Sequence, residues 1–252
     1  MNSNPEQATF KPLQGNTFKF RCYKGIECFI RCCADLKLIL TPYDILRMKN
    51  RLGIPSDNFL DKYTDQETES QSRFPMVRLK MNQDEKRSCP FVSPDGCTIY
   101  EDRPGACRIY PLGRAATKPD VRTNALEKFF LVMEDHCLGF QEDKEWTIEE
   151  WMKNEGVYEY NAMNDPWLGI ITSQKSMGPK KDRPRKIQMF YMASYNLDRF
   201  RDFVFKSRFF ELFDVKPGLK ESLASDDVEL MKFAFKWLLF SLFGDKTMQL
   251  RH

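Results

Sequence analysis

Apolar and charged residues alternate over Met76-Val-Arg-Leu-Lys-Met81, the period of two that marks a half-buried strand. The short apolar runs Asp35–Leu40 and Phe129–Val132 also read as strands. Helix signals follow the first of these. Thr41 is a good N-cap, Pro42 suits the first helical position and Asp44 complements the helix dipole, so a helix runs to about Leu52 and stops at Gly53. Ser56 caps a second short helix carrying Phe59, Leu60 and Tyr63, and the polar run Thr64–Ser72 is a loop. Thr147-Ile-Glu-Glu150 is a capping box opening a helix that carries Trp151 and ends near Gly156.

The C-terminal part is helical by pattern. Ile187–Tyr195 and Leu197–Phe210 are rich in Phe, Tyr and Met; Asp226 with Glu229 caps a last helix, Asp227–Phe243, which Gly244 ends. In that helix Glu229, Lys232 and Lys236 form one narrow polar stripe, so most of its circumference must be covered. Residues 1–20 lack clear periodicity and are expected to form a loosely held lead-in, and Gly113–Leu126 is expected to be irregular. The expected fold class is α+β: an irregular domain of short strands and helices over residues 1–140, and a mainly α-helical region over 141–252 that can pack on it as one unit.

At 252 residues the chain can bury a core without help from a metal. A net charge of +3 is too balanced to point to nucleic acid or an anionic membrane. The polar start, Met1-Asn-Ser-Asn-Pro-Glu-Gln, shows no signal-peptide pattern. The longest apolar segment, Phe233–Phe243, is interrupted by Lys236 and falls short of the roughly 20 residues that a membrane span needs. A cytoplasmic location without a membrane span is expected.

Chemistry enters with the eight cysteines, all of which fall between residues 22 and 137. Cys22, Cys28, Cys32 and Cys33 form one group, Cys89, Cys97 and Cys107 a second, and Cys137 follows. Cysteine used as a small core residue would be scattered, so the clustering argues for metal ligation, and in a reducing cytosol it argues against disulfides. Ser93-Pro-Asp-Gly96 is a turn able to fold Cys89 and Cys97 toward one another. Cys28 and Cys32, four apart, would share a helical face, with Cys33 pointing elsewhere.

The spacings C-x5-C, C-x3-C-C, C-x7-C and C-x9-C differ from the repeated C-x2-4-C knuckles of zinc sites. Iron–sulfur clusters tolerate varied spacing, and Cys89-Pro90 resembles the Cys-Pro of ferredoxin-type runs. Iron–sulfur is therefore favoured, 4Fe-4S above other types, with zinc as the alternative. Arg21, Arg31, Arg87 and Arg108 adjoin thiols, where guanidinium charge would favour the thiolate. His136 and the terminal His252 are the two histidines, too few for a His-rich hydrolytic zinc site.

The segment Cys28-x3-Cys32-Cys33, Cys-Pro-Phe at Cys89, Gly-Cys97-Thr-Ile-Tyr-x-x-Arg103-Pro104-x-x-Cys107-Arg108-x-Tyr-Pro111 and the later Cys137 resembles the YkgJ-type cysteine-cluster family of zinc- or iron-chelating proteins. The resemblance covers residues 20–140 and implies Cys28, Cys32, Cys33, Cys89, Cys97, Cys107 and Cys137 as metal ligands. The family's opening C-x2-C is replaced here by Cys22-x5-Cys28, so Cys22 departs from the usual ligand position. A related cluster occurs in flagellin lysine methylases, which keeps an S-adenosylmethionine-dependent enzyme in view. Against that reading, the radical-enzyme C-x3-C-x2-C and a glycine-rich nucleotide loop are missing from the sequence. The favoured function is electron transfer or redox support of a partner protein; a structural zinc protein that mediates interactions is the other alternative.

Overall fold

The structure, a computed structural model, describes residues 9–67, 72–116 and 127–251. It is α+β, with short antiparallel strands in small sheets. Its residues fall into two compact units: those up to Leu36 with Met81–Asn161, and Lys37–Lys80 with those from Ala162 onward.

The first unit contains all eight cysteines. Its larger sheet sets Glu127–Met133 between Thr9–Pro12 and Leu112–Ala116, both antiparallel, with Phe10 opposite Val132 and Gly113 opposite Phe130. A Cβ at Gly113 would lie 2.1 Å from the Phe130 ring, so that ring occupies the space over the glycine. A second pairing sets Thr17–Lys19 against Glu145–Thr147. Phe18, Phe20, Leu112 and Trp151 form the buried core, with Ile109, Tyr110, Cys137, Phe140 and Trp146 packed around it.

Two expectations are corrected here. Residues 9–20 are no loose lead-in: they give two strands and the buried Phe18 and Phe20, because their partners lie over 110 residues away and leave no local period. Residues 113–116, expected to be irregular, belong to the strand Leu112–Ala116, and 117–126 lie outside the described residues.

The second unit holds a three-stranded antiparallel sheet, Ile39–Leu40, Met76–Leu79 and Thr64–Glu67, together with helices. The Thr41 cap forms as expected: its side chain accepts from the Asp44 N–H, Asp44 returns a bond to the Thr41 N–H, and Gly53 ends the helix at φ 63°. The last helix, Asp227–Phe243, is capped by Asp226, ended by Gly244 and buries eight side chains from Leu230 to Leu242. Each large apolar one is worth about 1.5–3 kcal/mol over leaving it exposed. The stretch after Tyr63 pairs with Met76–Leu79 as a strand, where a loop was expected. The helix Ser56–Tyr63 is not capped by the Ser56 side chain; the Asp198 carboxylate, 142 residues away, accepts the Ser56 N–H at 2.6 Å. Strand structure near residue 40 is confined to Ile39–Leu40, since Asp35 sits at φ 49° and turns the chain. Among the described residues no helix is long and apolar enough to cross a membrane.

Candidate metal centre

Residues 23–33 form a succession of tight turns. The N–H of Ile26, Phe29, Arg31 and Cys33 donate to the carbonyls of Tyr23, Ile26, Cys28 and Ile30 respectively. Ile30, a β-branched residue, stands at φ 61° between Cys28 and Cys32, a backbone state that costs about 1–3 kcal/mol and persists where surroundings impose it. The expected helical face shared by Cys28 and Cys32 is therefore not formed.

The two sequence groups are stitched by backbone. The Cys89 N–H donates to the Cys33 carbonyl at 2.8 Å, the Asp35 N–H to the Arg87 carbonyl at 2.9 Å, and Ala34 bridges Ser88. Arg87 closes the link with Asp35 at 3.2 Å. From there the Ser93–Gly96 turn forms as the sequence predicts, with Gly96 at φ 116° and Cys97 opposite Val92. Cys137 arrives from the other side. The Arg21 N–H donates to the Gly139 carbonyl at 3.0 Å, and the Leu138 N–H to Cys28 Sγ at 3.3 Å. A Cβ at Gly139 would lie 2.6 Å from the Phe20 ring and 3.0 Å from the Arg21 carbonyl, so this approach requires glycine.

None of the eight cysteines is joined in a disulfide. Cys28 is buried, Cys22 is exposed and the other six are intermediate. Although Cys22 reaches solvent, the protein atoms packed around it partly desolvate its sulfur, and this, then the Cys32, Cys28 and Cys137 thiols, pushes its pKa up to about 11. Cys32 is raised strongly by its hydrogen bond to Cys33 and by burial, with Glu134 adding repulsion. Cys89, Cys97 and Cys137 are raised by burial. Opposing this, peptide N–H groups favour thiolate at each: Phe91 and Val92 at Cys89, Ile99 at Cys97, Gly139 at Cys137. Thus an amide two residues downstream serves each of these three sulfurs. Cys107 lies on the helix Gly105–Ile109.

The arginines divide by role. Arg21 and Arg31 are exposed, and Arg87 serves the backbone link. Arg108, 8% exposed, binds three backbone carbonyls, of Arg103 at 3.2 Å, Glu155 at 2.7 Å and Glu101, and lies over the Tyr160 ring. Arg103 pairs with Glu155, donates to the Tyr100 carbonyl at 2.6 Å, and is the guanidinium whose charge favours the Cys97 thiolate. These two hold the loop before Cys107 against the end of the helix Ile148–Asn154.

Tyr110 was not singled out by the sequence beyond its place in the motif. Its hydroxyl is buried beside the Cys137 thiol. Burial first and Cys137 second raise its pKa far above the phenol range. No alternation or spacing marks such a residue.

Among the described residues no three His, Cys, Asp or Glu side chains converge into a ready coordination shell. The donor chemistry nevertheless fits a soft metal. Crowded, part-buried thiols disfavour ionisation through burial and through one another, while peptide N–H groups and Arg103 favour it; a bound cation would supply the missing positive charge.

Residues 21–138 match the model of the family CxxCxxCC, described as "Putative zinc- or iron-chelating domain". That description agrees with the metal-chelating family that the cysteine motifs resemble. The match ends at residue 138, before the C-terminal helices. No curated protein and no solved structure matches the chain.

Proposed function

We propose that Cys22, Cys28, Cys32, Cys33, Cys89, Cys97, Cys107 and Cys137 are the metal-ligating set, that the metal is iron in a cluster with sulfide, 4Fe-4S above other types, and that the protein works in the cytoplasm as an electron-transfer or redox-accessory protein for a protein partner. The observation that carries this is the set of peptide N–H groups aimed at sulfur: Leu138 at Cys28, Phe91 and Val92 at Cys89, Ile99 at Cys97 and Gly139 at Cys137. Such bonds stabilise metal-bound thiolate, and their number sets the reduction potential of a cluster. A bound cluster supplies one-electron chemistry at thiolate-ligated iron. The chain's own part is to fix the sulfurs on hydrogen-bonded turns and to shield them with the Phe20, Phe140 and Trp151 rings beneath Cys137.

The donor set also supports iron–sulfur over zinc. Eight thiols without paired knuckles, and with His136 as the one histidine near them, form a wholly soft site. The test is anaerobic purification of the full chain, with iron, zinc and acid-labile sulfide measured per chain beside a visible spectrum. Iron with matching sulfide and a reversible bleach on reduction is the expected result. Zinc without sulfide refutes the redox reading and leaves a folded zinc scaffold.

A further inference from the structure

We infer that the eight cysteines serve two metal centres, Cys22, Cys28, Cys32 and Cys137 at the first and Cys33, Cys89, Cys97 and Cys107 at the second. The inference rests on the cysteine-ligand reading above but not on which metal is bound. A tetrahedral zinc and a 4Fe-4S cluster each take four thiolates, so eight cysteines exceed what one centre uses. The backbone bonds divide them.

Three segments meet at the first set. The N–H of Leu138, next after Cys137, donates to the Cys28 sulfur at 3.3 Å, and the N–H of Arg21, just before Cys22, donates to the Gly139 carbonyl at 3.0 Å. The turn closed by the Arg31 N–H on the Cys28 carbonyl at 3.0 Å leads from Cys28 to Cys32. Cys22 and Cys137 each lie within electrostatic reach of both Cys28 and Cys32. The second set is stitched separately. The Cys89 N–H donates to the Cys33 carbonyl at 2.8 Å, the Val92 N–H to the Cys89 carbonyl at 3.1 Å, and Cys97 stands opposite Val92 in the hairpin. The Thr98 N–H returns to the Phe91 carbonyl at 2.8 Å, and the same segment runs on to Cys107 in the helix Gly105–Ile109.

The seam is the adjacent pair Cys32-Cys33, whose thiols are hydrogen-bonded to each other. Ile30 at φ 61° and Asp35 at φ 49° bracket the pair, left-handed residues that turn the chain before it and after it. One thiol of the pair thus serves each set, and the two centres are neighbours. Neither set is drawn into a closed shell in this structure, so metal binding completes each.

The experiment uses the full chain, purified anaerobically, as wild type, as Cys28→Ser with Cys137→Ser, and as Cys89→Ser with Cys97→Ser. Zinc, iron and acid-labile sulfide per chain and far-UV circular dichroism are measured on each. Wild type is expected to hold two zincs or two clusters, and each double variant to keep about half of the wild-type metal. A single zinc or a single cluster in wild type overturns the inference, and so does a variant with wild-type circular dichroism and no metal. Where a variant does not fold, the wild-type chain decides: it is alkylated with iodoacetamide while excess EDTA removes the metal, and the labelled peptides are followed by mass spectrometry. The thiols are expected to become reactive in two phases that match the two sets; one phase for all eight, or phases that mix the sets, overturns the inference. Two zincs refute the iron–sulfur reading and leave the two centres standing, whereas a wild type that takes up neither metal refutes both.

Discussion

Arg108 is the side chain whose loss is expected to disturb the cysteine unit most. It is 8% exposed and donates to the carbonyls of Arg103, Glu155 and Glu101, with the Tyr160 ring below its guanidinium at 4.6 Å. Arg108→Ala leaves three carbonyls without this donor, at about 1–3 kcal/mol for each buried acceptor left unsatisfied. Water entering the vacated volume recovers part of that, so a net loss of about 3 kcal/mol is expected. For a unit of this size each kcal/mol lowers Tm by about 4 °C, giving a fall of about 12 °C. Arg108→Lys keeps the charge but offers a point donor in place of a planar fork, and about half of that loss is expected. Calorimetry on the metal-loaded chains reads the shift, and metal per chain should fall with it because Cys107 is the preceding residue on the same helix. A Tm within about 2 °C of wild type for Arg108→Ala would refute the claim that these bonds brace the unit.

Gly139→Ala drives a methyl into the Phe20 ring and the Arg21 carbonyl, and should cost about 1–3 kcal/mol while lowering metal content; full metal loading with unchanged melting would contradict the close approach. Thr41→Ala removes one side of the capping box and should lower the stability of the helical unit by about 1 kcal/mol, read from the urea midpoint. In the same unit burial works to raise Asp198 and Asp227, but the Ser56 N–H and Lys49 at Asp198, and Arg201, Lys49 and Asn50 at Asp227, outweigh it and hold both carboxyls below the usual range. Folded pKa values below the unfolded ones stabilise the unit above about pH 4 and are lost as pH falls further. Far-UV circular dichroism should therefore show helix loss below that pH, with a shallower acid dependence in Asp227→Asn; an identical acid profile for the variant would rule this out. Cys97→Ser and Cys107→Ser should each lower metal content and melting temperature together, the outcome that coupling of metal binding to folding predicts; full metal loading with unchanged melting would contradict it.

The capping residues Thr41, Thr147 and Asp226, the stops at Gly53 and Gly244, the strands at 76–79 and 129–132 and the turn at Ser93–Gly96 were legible in the sequence. Each is decided by residues within a few positions, where dihedral preference and a side-chain bond act without reference to the rest of the fold. The clustering of the cysteines was legible for a chemical reason: ligands must be supplied together, and cysteine has few other reasons to crowd.

Tertiary structure alone decided which distant segments meet. The pairing of Thr9–Pro12 with Glu127–Met133, the capping of Ser56 by Asp198, the stitch of Cys33 to Cys89 and the placing of Tyr110 beside Cys137 carry no local signal. Residues Lys37–Lys80, which stand between the two cysteine groups in the chain, cluster with the C-terminal helices rather than with the thiols. Such contacts are selected by closing long loops, whose entropic cost grows only slowly with length, so burial of a shared core determines the partner while sequence distance hardly restricts it.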